Sequence, residues 1–496
     1  MKKIILQILL LIGGSINSFS QLERLELSIE KNDLQRHIKI LASDEFEGRE
    51  TFHDGQKEAA KYISDFFKKC NISYPENLNS YYQKFNIFNF QSQKIHIEYD
   101  GKIVKNYDEI VYHGKLKSDS SNNDSVVFIG SGSKADLKGL CLKNKSILLY
   151  GTSYLEKIIR LQDSLKYNTI LYIPNLSQEV YLANFKRDKW SYYINRTVSN
   201  DFKMGRASKP YNMDLIDERV SIFQISPRIG EDLLGITIDS VRTLINNNRN
   251  TLENQLRLID AKSINYKIDI KKEELTTENV IGVMKGTESP NEWIVLSAHY
   301  DHIGKKDSAI FYGADDNASG VAGLLEIAEA FSFGVQKGYR PSKSLIFLLT
   351  SGEEKGLWGS KYFVNSPIFK EIKIVANLNM DMIGRVDTLH SNGGNYLYVK
   401  GDSIISKKLF PFFQNSKIKD NPIQIETLRL SKGSHALTNS DHASFLEKNI
   451  PSVTITSGVH CDYHKPSDTY DQISFDIITD RVKLIYRVIC EIINAS

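Results

Sequence analysis

The chain has 496 residues, longer than one hydrophobic core usually serves, so two domains are the default and three are possible. Lys and Arg number 63 against 60 Asp and Glu, and a net charge of +3 over that length gives nucleic acid or an anionic membrane no field to read. The 41% hydrophobic and 25% charged residues are ordinary for a soluble globular protein.

Residues 1–20 stand apart. Lys2 and Lys3 precede an apolar run from Ile4 to Ile12, and Ser18-Phe19-Ser20 supplies small residues where a signal peptidase cuts. This pattern predicts an export signal and hence a periplasmic or extracellular protein. The run is too short to predict a membrane span, and no later stretch is expected to approach spanning length. No cysteine follows it, which argues against a lipid anchor.

Residues 21–94 read as helical. Ala59, Ala60, Ile63, Phe66, Phe67 and Cys70 recur at steps of three and four, one stripe of an amphipathic helix. From 95 to 265 the texture changes to short β-branched and aromatic runs such as Ser125 to Ile129, Lys145 to Tyr150 and Thr169 to Ile173. A β-rich insert with little helix is expected there, and no cluster of His, Asp and Glu assigns it chemistry. From 266 to 496 buried-looking strands alternate with helices, the pattern of an α/β fold with a sheet covered on both faces. Cys70, Cys141, Cys461 and Cys490 allow three pairings and fit no zinc-binding spacing; they read as small buried residues with room for one disulfide.

In this last region hydrophobic strands end in ligand-type residues. Trp293 to Ala298 leads to His299 and Asp301, Ser344 to Thr350 to Glu353 and Glu354, Ile374 to Met380 to Asp381, and Ser452 to Thr456 to His460, Tyr463 and His464. The carboxyl ends of strands in an open α/β sheet form its ligand crevice. A fifth segment, Gly313 to Gly320, lies before a helix that Asn317 or Ser319 is placed to cap. Singly, a His-x-Asp is more often a pair of solvated side chains and an Asp pair before a helix more often a cap. Together, two His and three carboxylates at one edge match the needs of a pair of zinc ions.

Gly313-Ala-Asp-Asp-Asn-Ala-Ser-Gly320, Ser351-Gly-Glu-Glu-Lys-Gly-Leu-Trp-Gly-Ser360, Asn379-Met-Asp-Met-Ile-Gly384 and Asp462-Tyr-His-Lys-Pro-Ser-Asp-Thr-Tyr470 resemble the motif set of the co-catalytic dizinc aminopeptidases, the family of bacterial leucyl aminopeptidase and aminopeptidase S. Leu41 to Arg49 is similar to the segment opening the peptidase domain in that family, and the insert stands where its protease-associated (PA) domain does. The resemblance implies an α/β/α zinc exopeptidase fold with a mixed, mostly parallel sheet. It implies two zinc ions, one held by His299 and Asp381, the other by Glu354 and His464, with Asp315 bridging. It further implies Asp301 orienting His299, Glu353 as general base for a metal-bridging water, Tyr463 donating to the oxyanion, and a cis peptide at Asp315-Asp316. The substrates implied are peptides with a free N-terminus.

His302, His435, His442 and His460 are expected to serve as hydrogen-bonding or loop residues, and Asp441 stands near the site. Thr51-Phe-His-Asp-Gly55 departs from the family's usual sequence. Glutaminyl cyclase, a carboxypeptidase of the same fold and an inactive peptide-binding relative are the alternatives; the oligomeric state is not legible.

Overall fold

The computed structural model describes residues 25–105, 108–112, 118–133, 136–137, 140–183, 196–199, 220–246, 259, 261–370, 372–390, 394–416, 422–431 and 434–495, so the expected export signal lies outside the described residues. The chain divides into two units, 1–86 with 276–496, and 87–275. The insert thus begins at 87 rather than 95 and ends at 275 rather than 265.

The first unit is built on amphipathic helices and fully buried strands. Its described helices include α1 (Lys31–Leu41) and α2 (Asp54–Lys69), and the expected stripe of Ala59, Ala60, Ile63 and Phe67 is buried. The long strands β1 (Tyr82–Tyr99) and β2 (Ile264–Met284) each begin in one unit and end in the other. There follow β3 (Ser289–His299), α3 (Gly320–Gln336), β4 (Lys343–Thr350), β5 (Lys373–Met380), β6 (Tyr396–Asp402), β7 (Gln424–Leu430), β8 (Ser452–Thr456) and α4 (Phe475–Asn494). In the sheet they run β7-β6-β8-β5-β3-β4-β2-β1. The central strands β4, β3, β5 and β8 are mutually parallel, while β2 and β6 run antiparallel to their inner neighbours. All four carboxyl ends therefore open on one edge.

Alternate residues of these strands face two apolar layers. Leu296, Leu345, Phe347 and Leu378 pack with α1, α2, α3 and α4, whereas Val295, Ile346 and Leu348 pack with Phe363 and Phe445 on the other face. This is the expected three-layer arrangement. The segment Ala314–Gln336 is long and apolar enough to span a bilayer by composition, contrary to the expectation for the later chain, but 83% of its apolar 18-residue window is buried within the fold.

The second unit has a five-stranded sheet in the order 110–112, 221–225, 169–173, 146–150, 126–128, parallel except at its first pair. Leu148, Leu171 and Phe223 pack with Ile229 and Leu233, and Ile147, Ile170 and Ile222 with Ile158 and Ile159. Helices Leu155–Arg160, Pro227–Leu234 and Ile238–Asn246 are more prominent than the β-rich texture suggests. A parallel sheet buried on both faces needs them as cover.

A single cation ties the start of the chain to the site edge. Arg49, 1% exposed, donates from Nε to Tyr300 O (2.9 Å), from Nη1 to Tyr312 O (2.8 Å) and Leu41 O, and from Nη2 to Gly313 O (2.9 Å). Replacing it would leave several carbonyls buried without a donor. Arg49→Leu is expected to lower the free energy of unfolding by on the order of 3 kcal/mol or more in denaturant titration.

Candidate metal centre

The segment between β3 and α3 turns sharply at Gly313 (φ 57°), where a Cβ would lie 2.1 Å from Asp316 O and 2.6 Å from the His302 ring. Asp468 accepts from the backbone N–H groups of Asp315 and Asp316, each at 3.1 Å. Asn317 donates to Met380 O (2.9 Å) and accepts from Gly320 N (3.1 Å) and Met382 N (3.0 Å). Its side chain thus pins the loop to the end of β5 and the start of α3. The cis peptide lies at Asp316-Asn317, one residue beyond the expected doublet.

This register decides which aspartate enters the crevice. Asp316 Oδ1 lies 3.3 Å from His299 Nε2, and its Oδ2 lies 3.1 Å from His464 Nε2. His299 Nε2 is also 3.5 Å from Asp381 Oδ1, and His464 Nε2 is 3.1 Å from Glu354 Oε2. The sequence-based assignment of the bridge to Asp315 is therefore corrected. Asp315 faces the other way, accepting from Gly384 N (2.6 Å) and standing 3.4 Å from His460 Nε2. Asp316 is the carboxylate shared between the two pairs.

The donor set suits metal. Two ligand atoms about 2.05 Å from a tetrahedral zinc are about 3.3 Å apart, and the four separations above bracket that value. Asp316 Oδ2 and His464 Nε2 are 3.1 Å apart and buried, yet neither has a hydrogen-bond partner. The two atoms are aimed at a common point instead of at each other. His299, Asp316 and Asp381 form one group of candidate donors, and His302, Asp316 and Glu354 a second. His464 is the better third member of the second group. The Nδ1 of His302 is already hydrogen-bonded to Glu354 Oε1 (3.0 Å), which makes His302 an orienter of Glu354, in keeping with its expected hydrogen-bonding role.

Charge follows the same geometry. Burial by itself would raise the Asp316 carboxyl, but His299, His302 and His464 pull it well below the usual carboxylate range. Burial disfavours charge on His464, yet Asp316 and Glu354 raise it to about 10. His299 is held well above its ordinary value by Asp316 and Asp381 against the same burial. Without a metal, protons on these imidazoles balance the carboxylates.

Neighbouring groups fix the ligand-type residues. Ser440 donates to Asp381 Oδ2 (2.6 Å) and accepts from Asn379 Nδ2 (2.7 Å). His299 Nδ1 meets the backbone carbonyl of Asp301 at 3.1 Å, so Asp301 orients it chiefly through the main chain, its carboxylate being 3.9 Å away. That carboxylate accepts from Glu353 N (3.1 Å) and from Thr51 Oγ1 (2.9 Å), which explains the unusual Thr51. Asp441 is buried, accepts from Thr350 Oγ1 and leaves Oδ1 without a partner.

Glu353 is 5% exposed, and among the described residues nothing hydrogen-bonds or ion-pairs with its carboxylate. Burial holds it well above the ordinary carboxylate range against the lowering pull of His299, and Glu354, Asp381 and Asp441 add to the rise. Tyr463 stacks on the His464 ring at 3.8 Å between centroids, and burial and the site carboxylates keep its hydroxyl protonated. His442 bonds Thr454 Oγ1 (2.5 Å), away from the ligand pairs, and the side chain of His435 lies outside the described residues. Each of the four cysteines is free, so the disulfide allowed by the sequence does not form.

Residues 279–489 match the model of peptidase family M28. Aminopeptidase YwaD of Bacillus subtilis (strain 168) is 25% identical over 56% of this chain and 56% of its own length. Leupeptin-inactivating enzyme 1 of Streptomyces exfoliatus is 34% identical over 38% of this chain and 37% of its own. A probable glutamate carboxypeptidase of Zea mays, VP8, is 31% identical over 39% and 26% respectively. The chain thus spans about half or less of the length of these curated relatives. The fold is similar to that of an aminopeptidase from Aneurinibacillus sp. strain AM-1, with a TM-score of 0.51, 18% identity, and coverage of 94% of this chain and 95% of that one.

Two adjacent aspartates now carry opposite expectations. Asp316→Ala removes the carboxylate shared by both donor pairs and should abolish most zinc uptake, measured by metal analysis of dialysed protein. Asp315→Asn keeps the acceptor for Gly384 N and should retain it.

Proposed function

From the match of residues 279–489 to the model of peptidase family M28, we propose that the protein is a zinc-dependent aminopeptidase removing N-terminal residues from peptides. The observation that carries this reading is the convergence of His299, Asp381, Glu354 and His464 on the two oxygens of Asp316 at the spacing of zinc ligands. Two ions are proposed, His299 and Asp381 holding one, Glu354 and His464 the other, with Asp316 common to both. When bound, zinc supplies Lewis-acid polarisation of a carbonyl and acidification of water.

The remaining chemistry belongs to side chains. Glu353, uncommitted and buried beside His299 and Asp381, takes the proton of the attacking water and returns it to the leaving amine. Asp301 is a positioning residue, holding the Glu353 backbone through its Oδ1 and His299 through its carbonyl. Tyr463, protonated and stacked on His464, donates to the developing oxyanion. The α-amine of the substrate lies among Asp381, Asp316 and Glu353, where an N-acetyl group would forfeit the electrostatic attraction.

We carry two further sequence readings as part of the proposal. The export signal of residues 1–20 places the protein in the periplasm or outside the cell, tested by N-terminal sequencing of exported protein. The inserted unit, a helix-covered sheet, is read as the protease-associated domain.

Glu353→Gln preserves side-chain size and removes the proton acceptor, so kcat should fall by about 10² to 10⁴ with zinc retained. Glu354→Gln should instead lower zinc content. Equal cleavage of acetylated and free peptides, or near-normal turnover by Glu353→Gln at full occupancy, would contradict the mechanism.

Zinc binding should also be linked to pH. His464 is raised to about 10 without metal, so it is protonated at neutral pH and zinc must displace that proton. Calorimetry in buffers of different ionisation enthalpy should show release of about one proton or more per chain. Apparent affinity should fall about tenfold for each pH unit lowered.

A further inference from the structure

Resting on the aminopeptidase reading, we propose that the cavity beside Glu354 and His464 receives the residue after the scissile bond and selects a carboxylate on it. The preferred substrates are then dipeptides or peptides with an acidic second residue. The cavity measures about 330 Å³ and is lined by Glu50, Ile303, Lys306, Glu354, Lys355 and His464. That lies at the small end of the about 300–1,000 Å³ usual for ligand sites, so it suits a residue better than a long peptide.

Its two ammonium groups are not equivalent. Lys355 is neutralised by Glu50, with Nζ 2.5 Å from Oε1. Lys306 meets no carboxylate among the described residues; its Nζ lies 5.4 Å from the centroid of the Phe311 ring, across the short hairpin 304–306 and 309–311. Contact with a ring face holds an ammonium without cancelling its charge. The cavity therefore joins one half of the proposed metal centre to an uncompensated cation.

This charge sets the direction in which a peptide lies. An α-ammonium is repelled at the Lys306 end and attracted toward Asp381 and Glu353, while a carboxylate prefers the reverse. The bond between the first two residues is then held over the shared Asp316, with the second residue in the cavity. A terminal carboxylate and the side chain of Glu or Asp offer Lys306 the same chemistry.

The test uses three substrates with the same free N-terminal residue: one with glycine second and a free carboxylate, its amide, and an amide with glutamate second. In the metal-loaded enzyme at low ionic strength, kcat/KM for a carboxylate-bearing substrate should exceed that for the glycine amide by about tenfold. The Lys306→Gln variant should bring that ratio within about twofold, Lys306→Arg should preserve it, and added salt should compress it, since an exposed ammonium is screened. Preference for the free-carboxylate substrate alone assigns the terminal carboxylate, and for the glutamate amide alone the side chain; either supports the proposal. Equal rates on all three, or an unchanged ratio in Lys306→Gln, overturn it while leaving the aminopeptidase reading intact. No turnover of any unblocked peptide at full zinc occupancy overturns both.

Discussion

Buried carboxylates at one sheet edge are the constraint on which the rest of this structure depends. Asp301, Asp316, Glu353 and Asp441 are each no more than 5% exposed, and Glu354 and Asp381 stand among them. Removing such groups from water is costly unless positive charge is close. Imidazoles supply it here, and the fold supplies the imidazoles: parallel strands β3, β4, β5 and β8 end together, so residues far apart in sequence arrive at one place. An antiparallel pair would have sent half of them to the opposite edge.

The loop that presents Asp316 is held on all sides by groups that do not touch the crevice. Arg49 fixes the carbonyl of Gly313, Asp468 caps the amides of Asp315 and Asp316, and Asn317 ties the turn to β5. Asp468 lies about 150 residues further on, two positions beyond Pro466, so the end of the chain fixes the geometry of a loop near its middle. A site whose ligands are spread over so many segments gains rigidity from such cross-ties, because each restricts a backbone rather than a single rotamer.

The strand ends delivering His299, Glu354, Asp381 and His464 were legible because a hydrophobic run followed at once by a ligand-type residue is a local signal. Asp316 was not. Two consecutive aspartates in a six-residue turn carry no mark of which one faces inward, and the choice is made by Gly313 at positive φ and by Asp468. Thr51 stood out as a departure, but that its hydroxyl reaches Asp301 depends on folding that separates them by 250 positions. The helices of the insert did have a trace: Ile147 to Leu149 is apolar at successive positions, and a strand buried on both sides requires cover on both sides.

The adjacency of Glu353 and Glu354 shows how one turn separates two tasks. Both follow Gly352, whose φ of 77° breaks the extended course of β4. Glu353 is fixed by its own N–H on Asp301, which leaves its carboxylate without a partner among the described residues. Glu354 is fixed by its carboxylate instead, with His302 on one oxygen and His464 near the other. A base must be free to gain and lose a proton, whereas a ligand must stay deprotonated. The same burial serves both residues because His302 and His464 together outweigh it at Glu354, whereas His299 alone does not at Glu353, so Glu354 is lowered while Glu353 stays raised. Environment, not residue type, divides the work.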